Sequence, residues 1–309
     1  MSGPVYSLAC LLGAFAASAA AQVMIGTPAP PPGTIRVDVD LVNVLCSVRD
    51  RDGSWARDLR RDDFELREDG KVRPVTHFAA ASDSPLTVAL MVDVSGSVAT
   101  ILDIERAAAR RFLDEMIRSG DQALVGGFSS TIPIWQDLTG SLENLREGVA
   151  RIGPEFGGEG VRARGGTLLY DAVDLISNRK LSKVAGRKTL VLITDGIDNG
   201  SAVKPAEAVQ AAQRADVVIF AIHYVPESRD PGEGHHPLAR LAEPTGGHVF
   251  EVSGKMPLES VFSEIAEEMR HQYSLGFTSA ARDGLFHKLE VRVKRPGMKP
   301  AARTGYYAR

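Results

Sequence analysis

At 309 residues the chain exceeds one typical domain, and its 44% hydrophobic and 24% charged residues suit a folded core and exclude a disordered polymer. A net charge of −3, with Lys and Arg dispersed along the chain, argues against a general nucleic-acid binder. No internal repeat stands out.

The chain opens with an apolar, small-residue stretch over 5–21 (VYSLACLLGAFAASAAA) that ends in Ala before Gln22. This fits a signal peptide, 1–21, cleaved after Ala21. The stretch is short for a membrane span and lacks flanking charges, so no integral span is expected after cleavage, and it would stay as an anchor only if the Ala-x-Ala site failed. Export to the periplasm, the cell surface or the medium follows. Cys10 leaves with the leader, so Cys46 has no intrachain partner and reads as a small buried hydrophobe within an alternating strand. Residues 22–34, containing GTPAPPPGT, read as an extended Pro-rich linker.

From 35 to 83 the pattern is β. Val37, Val39 and Leu41 alternate with polar neighbours over 35–48, and the stretch from Phe64 reads as a hairpin turning at Asp69-Gly70. From 84 to 271, strand and helix patterns alternate. Strands are expected at 87–92, 123–128, 188–194, 217–223 and 248–252, with a short edge strand at 131–136; helices are expected at 102–118, 141–152, 168–178, 204–215 and 258–271. Such alternation predicts an α/β fold, a doubly wound and mainly parallel sheet with helices on both faces. Residues 272–309 return to strand patterns at 273–277, 287–294 and 303–307. Neither flank has enough strands for a sheet of its own, so both are expected to combine into one small all-β sandwich in which the α/β segment is inserted.

The chemistry gathers where the apolar strands end. The run 87–92 (TVALMV) gives way to Asp93, Ser95 and Ser97, and the run 188–194 (KTLVLIT) gives way to Asp195. Ligands of open α/β sheets bind beyond the carboxyl ends of the strands, and a carboxylate with hydroxyls suits a hard divalent cation. By itself the Asp-x-Ser-x-Ser string also reads as a helix N-cap with turn chemistry. Thr167, following Gly165-Gly166 at the start of a helical pattern, and Asp195 add two more oxygen donors on the same sheet edge, and the spacing of all five tips the reading toward a metal.

Together Asp93-x-Ser95-x-Ser97, Thr167 and Asp195 resemble the metal-ion-dependent adhesion site of the von Willebrand factor type A family, which includes the inserted domains of integrins. The flanks DFELREDGK and GLFHKLEVRVKRPG are similar to those of bacterial von Willebrand factor A-related proteins described from acidobacteria. The resemblance implies Mg²⁺, or Mn²⁺ or Ca²⁺, with Ser95 and Ser97 as direct ligands, Asp93 and Asp195 as anchoring carboxylates, and Thr167 as a ligand that changes between direct and water-mediated contact. It also implies an exported, non-enzymatic protein that captures an acidic side chain of a protein partner. A structural or assembly role, with the metal stabilising loops, is the alternative.

Enzyme readings fare worse. A haloacid dehalogenase-type phosphohydrolase, with Asp195 and Asp198 as downstream Mg²⁺ carboxylates, needs an acid two residues after the nucleophile, and position 95 is Ser. No Gly-x-Gly-x-x-Gly or Gly-x-x-x-x-Gly-Lys pattern supplies a nucleotide site. His235-His236, in the Pro/Gly-rich stretch PESRDPGEGHHP, are expected to be solvated rather than metal-bound. His223, His248, His271 and His287 occur singly and read as structural, and Glu155, Glu159, Asp198, Asp230 and Glu233 read as a solvated rim.

Overall fold

The computed structural model describes residues 40–80, 84–95, 102–153, 166–224 and 232–308, apart from the side chains of 40, 102–105, 232 and 233. The leader, the Pro-rich stretch, Ser97, Glu155, Glu159 and Asp230 lie outside the described residues.

The N-terminal flank forms β1 (Asp40–Arg49), β2 (Phe64–Glu68), β3 (Lys71–Arg73) and β4 (His77–Ala80). The central segment runs β5 (Leu86–Asp93), α1 (Leu102–Met116), β6 (Gln122–Phe128), β7 (Ile134–Thr139), α2 (Leu142–Ala150), α3 (Leu169–Leu175), β8 (Arg187–Thr194), α4 (Pro205–Arg214), β9 (Val217–His223), α5 (Gly232–Ala242), β10 (Val249–Glu251) and α6 (Leu258–Arg270). The C-terminal flank adds β11 (Tyr273–Ser279), β12 (Phe286–Val293), β13 (Lys299–Ala302) and β14 (Gly305–Tyr307).

The central sheet has the order β10-β9-β8-β5-β6-β7, parallel except for β7 at one edge. Every residue of β5 is buried, because successive side chains point to opposite faces and both faces are covered. Val88, Leu90 and Val92 pack with Phe112, Leu145 and Phe262 from α1, α2 and α6. Ala89 and Met91 pack on the other side with Val173, Ala212 and Leu238 from α3, α4 and α5. This is the doubly wound arrangement expected from the β/α alternation.

The flanks build two further four-stranded sheets, β13-β1-β11-β4 and β14-β12-β2-β3, each mixing strands from both ends of the chain. Between them lies a core of Val44, Cys46, Leu66, Tyr273, Leu275, Phe277 and Leu289. Burial pushes the Cys46 thiol up to about 12, reinforced by the nearby Glu268 carboxyl, so it packs as an inert hydrophobe. At the β2–β3 turn, Asp69 and Gly70 have φ of 48° and 79°, the left-handed pair that a two-residue hairpin requires.

Four elements depart from expectation. β7 begins three residues later than the expected edge strand. β4 and β13 have no strong apolar alternation, and β13 holds Pro300 because it occupies a sheet edge. The fourth is α5, expected as a loop from its Gly and Pro content. Leu238, Leu241 and Ala242, all fully buried against the sheet, hold it as a helix despite Pro237 within it.

Candidate metal centre

β5 and β8 are parallel neighbours with Val92 opposite Ile193, so both end at one edge of the sheet. That register brings Asp93 beside Thr194 and the following Asp195. The Thr194 hydroxyl donates to Asp93 Oδ2 at 2.8 Å and accepts the Gly196 amide at 3.1 Å. The Ser95 amide donates to Asp93 Oδ1 at 2.9 Å, and the Ile197 amide to Asp195 Oδ1 at 3.1 Å. Both carboxylates thus turn their own strand ends, and Gly196, at φ +77°, allows the second turn.

Thr167 reaches the same edge from the start of α3. Its amide donates to Asn199 Oδ1 at 2.6 Å, the Asn199 amide donates back to the Thr167 carbonyl at 3.3 Å, and the Leu168 amide donates to the Ser129 carbonyl at 2.9 Å. Leu168 cannot cap α3 with its own side chain. Asp198 and Ser201 do so instead: Asp198 Oδ1 accepts the Leu169 amide at 3.0 Å, and Ser201 Oγ accepts those of Tyr170 and Asp171 at 3.1 Å. Asp198 is therefore a cap borrowed from the β8–α4 loop, not the solvated rim residue expected. Asp171 returns the connection by accepting the Ala202 and Val203 amides at 3.2 and 2.8 Å.

Asp93, Thr167 and Asp195 are buried, at 0%, 5% and 5% exposure, and Ser95 is half-buried. Burial pushes the Asp93 carboxyl up from its ordinary value, and the Asp195 charge adds to this. Hydrogen bonds from Ser95 and Thr194 oppose both. The donors that hold Asp93 are thus neutral, and two carboxylates share a poorly solvated edge. An all-oxygen set with two negative charges fits a hard divalent ion such as Mg²⁺, which binds through one or two carboxylates and keeps waters. Of the five residues singled out in the sequence, four are described, and the structure connects them through Thr194, Asn199 and Asp198. Nothing in the sequence pattern marked these three as the connectors.

The histidines divide differently from expectation. His236 is exposed, but His235, in α5, meets Glu251 and His223 at the ends of β10 and β9. His271 bonds Glu267 at 3.0 Å, and His287 bonds Asp69 and Asp283 at 2.8 and 3.2 Å, as structural residues do.

A family model described as the von Willebrand factor type A domain matches residues 87–264, more than half of the chain. No curated protein matches the chain. Among solved structures the chain is similar to BatB from Bacteroides thetaiotaomicron, at 17% identity and a TM-score of 0.48, covering 60% of this chain and 97% of that one. It is similar also to proximal thread matrix protein 1 from the mussel byssus, at 14% identity and a TM-score of 0.50, covering 72% and 50%. A third is the von Willebrand factor domain of the type V pili tip protein Mfa5 from Porphyromonas gingivalis, at 14% identity and a TM-score of 0.45, covering 60% and 95%. At these identities the likeness to the mussel protein speaks to the fold alone, and the other two, with TM-scores under 0.5, carry no argument.

Proposed function

Because the chain belongs to the von Willebrand factor type A family, we propose that it is a non-enzymatic binding protein that captures an acidic side chain of a protein partner at a divalent ion. Asp93, Ser95, Ser97, Thr167 and Asp195 are the proposed ligands, and Mg²⁺ the proposed ion, with Mn²⁺ or Ca²⁺ as substitutes. The observation that carries this reading is the buried Asp93, held by neutral donors, with the buried Asp195 on the same edge of the sheet. When bound, the ion would supply positive charge to which hydroxyl ligands add no negative charge, and with Asp93 and Asp195 anchoring it through water it would still attract a third carboxylate.

The protein's own residues position that chemistry. Thr194 and the Ser95 amide orient Asp93, while Asn199 holds Thr167 at the edge. These bonds tie the two strand ends and the start of α3 together through the chain's own donors. Asp198 is occupied as the cap of α3, which takes away the second downstream carboxylate a phosphohydrolase would use. The apolar stretch over 5–21, read as a leader, is in keeping with the export we propose, and among the described residues no helix is long and apolar enough to cross a membrane.

The test is capture from the native envelope by the full chain with Mg²⁺, with chelator, and with Asp93→Ala. Retention of a partner should be lost with chelator and in the variant, while the variant's circular dichroism spectrum is kept. A partner retained equally in all three arms removes the ion from the interaction and the reading with it.

A further inference from the structure

A second cluster stands on the same edge of the sheet, one strand beyond β8 and two beyond β5. His223 closes β9, Glu251 closes β10, and His235 lies in the first turn of α5. Glu251 spans the two imidazoles, with Oε2 at 2.8 Å from His223 Nδ1 and Oε1 at 2.5 Å from His235 Nδ1. One ligating atom from each residue lies within 4.8 Å of the other two. The His223 side chain is 1% exposed, whereas those of His235 and Glu251 are 42% and 44% exposed, so the cluster has a rigid buried member and two members open to solvent.

We propose that His223, His235 and Glu251 form a site for a zinc-class divalent cation, separate from the oxygen site at Asp93 and Asp195. Two imidazole nitrogens and one carboxylate oxygen are the donors that borderline-soft ions such as Zn²⁺ take, whereas Mg²⁺ and Ca²⁺ select oxygen. With bonds of about 2.0–2.1 Å, neighbouring tetrahedral ligands stand roughly 3.3 Å apart. The 2.8 and 2.5 Å contacts have to lengthen to this, and ligand atoms up to 4.8 Å apart have to close toward it, movements open to the exposed side chains of His235 and Glu251. On binding, the ion takes the place of the hydrogen between each Nδ1 and Glu251: an imidazole with one proton shifts it to Nε2, and one with two releases the Nδ1 proton to water, so both bind as neutral Nε2–H imidazoles. Three protein ligands leave the fourth position to water on the exposed side.

The backbone around the cluster is fitted closely. A Cβ at Gly234 would stand 1.8 Å from the Asp195 carbonyl oxygen and 2.7 Å from His223 Nε2. Only glycine lets the start of α5 lie against the β8 loop with His235 directed at Glu251. This close approach accounts for a glycine in the first turn of a helix, where its intrinsic propensity is poor. The site itself does not depend on the reading of the oxygen site.

The experiment is a Zn²⁺ titration of the metal-free full chain against a chromophoric chelator, with Co²⁺ absorption as a second readout. Asp93→Ala serves as the parent so that the oxygen site cannot contribute. The parent should bind one Zn²⁺, and its Co²⁺ complex should show the intense visible bands of a four-coordinate nitrogen and oxygen site. His235→Ala and Glu251→Ala, both at solvent-facing positions and so tolerable to the fold, should each weaken Zn²⁺ by about 100-fold or more, beyond the range of outer-shell substitutions. His223→Ala adds a buried test only if its circular dichroism is native. A parent that takes up no Zn²⁺, or variants that titrate like the parent, would overturn the proposal and leave the three residues as a hydrogen-bonded clasp. Mg²⁺ titration of the otherwise unaltered chain and of its Asp93→Ala variant reports on the oxygen site independently, so failure of either site is read without the other.

Discussion

Glu68 in the β sheets and Asp93 in the α/β sheet are both carboxylates withdrawn from water, at 3% and 0% exposure, yet their surroundings treat the charge in opposite ways. Glu68 receives the Tyr306 hydroxyl at 2.6 Å, the Ser279 hydroxyl at 2.9 Å and the Arg73 guanidinium at 2.6 Å. Burial opposes its ionisation, but the bonds from Tyr306, Ser279 and Arg73 outweigh burial and hold its pKa below the usual range. Asp93 has neutral donors and a second carboxylate nearby, and its pKa moves up. A buried charge answered within the chain reads as structure. One held only by neutral donors, as Asp93 is, lies where we propose that the ion binds.

The contrast is broken most directly at Glu68. Glu68→Ala takes the carboxylate acceptor from the buried Tyr306 and Ser279 hydroxyls, leaving only the bond between them, and releases Arg73, 39% exposed, to water; the lost acceptor should cost about 2–3 kcal/mol. Urea unfolding monitored by circular dichroism should show this loss equally with and without Mg²⁺. A loss that depended on Mg²⁺ would erase the distinction between the two carboxylates.

A third carboxylate sharpens it. Glu268 of α6 is fully buried, donated to by Ser47 Oγ at 2.7 Å, with His248 Nε2 at 3.3 Å. Burial pushes its carboxyl up to about 7, with Glu264 adding to the shift and Ser47 and Arg49 opposing it. The folded state therefore favours the protonated form. The stability this contributes is full below 4.5 and is lost as pH rises through about 7. Glu268→Gln, neutral throughout, should gain about 2 kcal/mol over the parent at pH 8 and nothing near pH 4 in urea titrations. Burial, helped by Arg49, lowers His248 to about 4, so its contribution runs the other way and is lost as pH falls from 6.5 through that value. The acid limb should persist in Glu268→Gln while the alkaline limb flattens.

These three carboxylates were unequally legible in the sequence. Asp93 stands at the end of an unbroken apolar run, where strand and site announce each other, and Thr167 and Asp195 share its spacing. Glu268 reads as the polar face of an amphipathic helix, because Leu258, Val261, Phe262, Ile265 and Met269 already define the other face. Nothing local reveals that Ser47, more than two hundred residues away, covers it. The cluster at His223, His235 and Glu251 was hidden for the same reason, compounded by helix α5. Its glycines and Pro237 imitate a loop, and the reason for Gly234, the approach of the Asp195 carbonyl, exists only in three dimensions.

The smallest expected effect discriminates best, because it changes sign. In chelator, Asp93→Asn removes a charge that burial and the Asp195 carboxylate raise in energy, keeps an acceptor for the Ser95 amide, and should stabilise the fold by about 1 kcal/mol. In Mg²⁺ at 100 times its dissociation constant, the parent gains about 2.7 kcal/mol that the variant lacks. Thermal unfolding of the two chains should therefore cross, with the variant melting higher in chelator and the parent higher in Mg²⁺. Glu68→Gln can show no such crossing, since its partners are all within the chain. If Asp93→Asn instead loses stability by the same amount in both solutions, Asp93 is satisfied by Thr194 and Ser95 as fully as Glu68 is by Arg73, and the edge of the sheet holds no place for an ion.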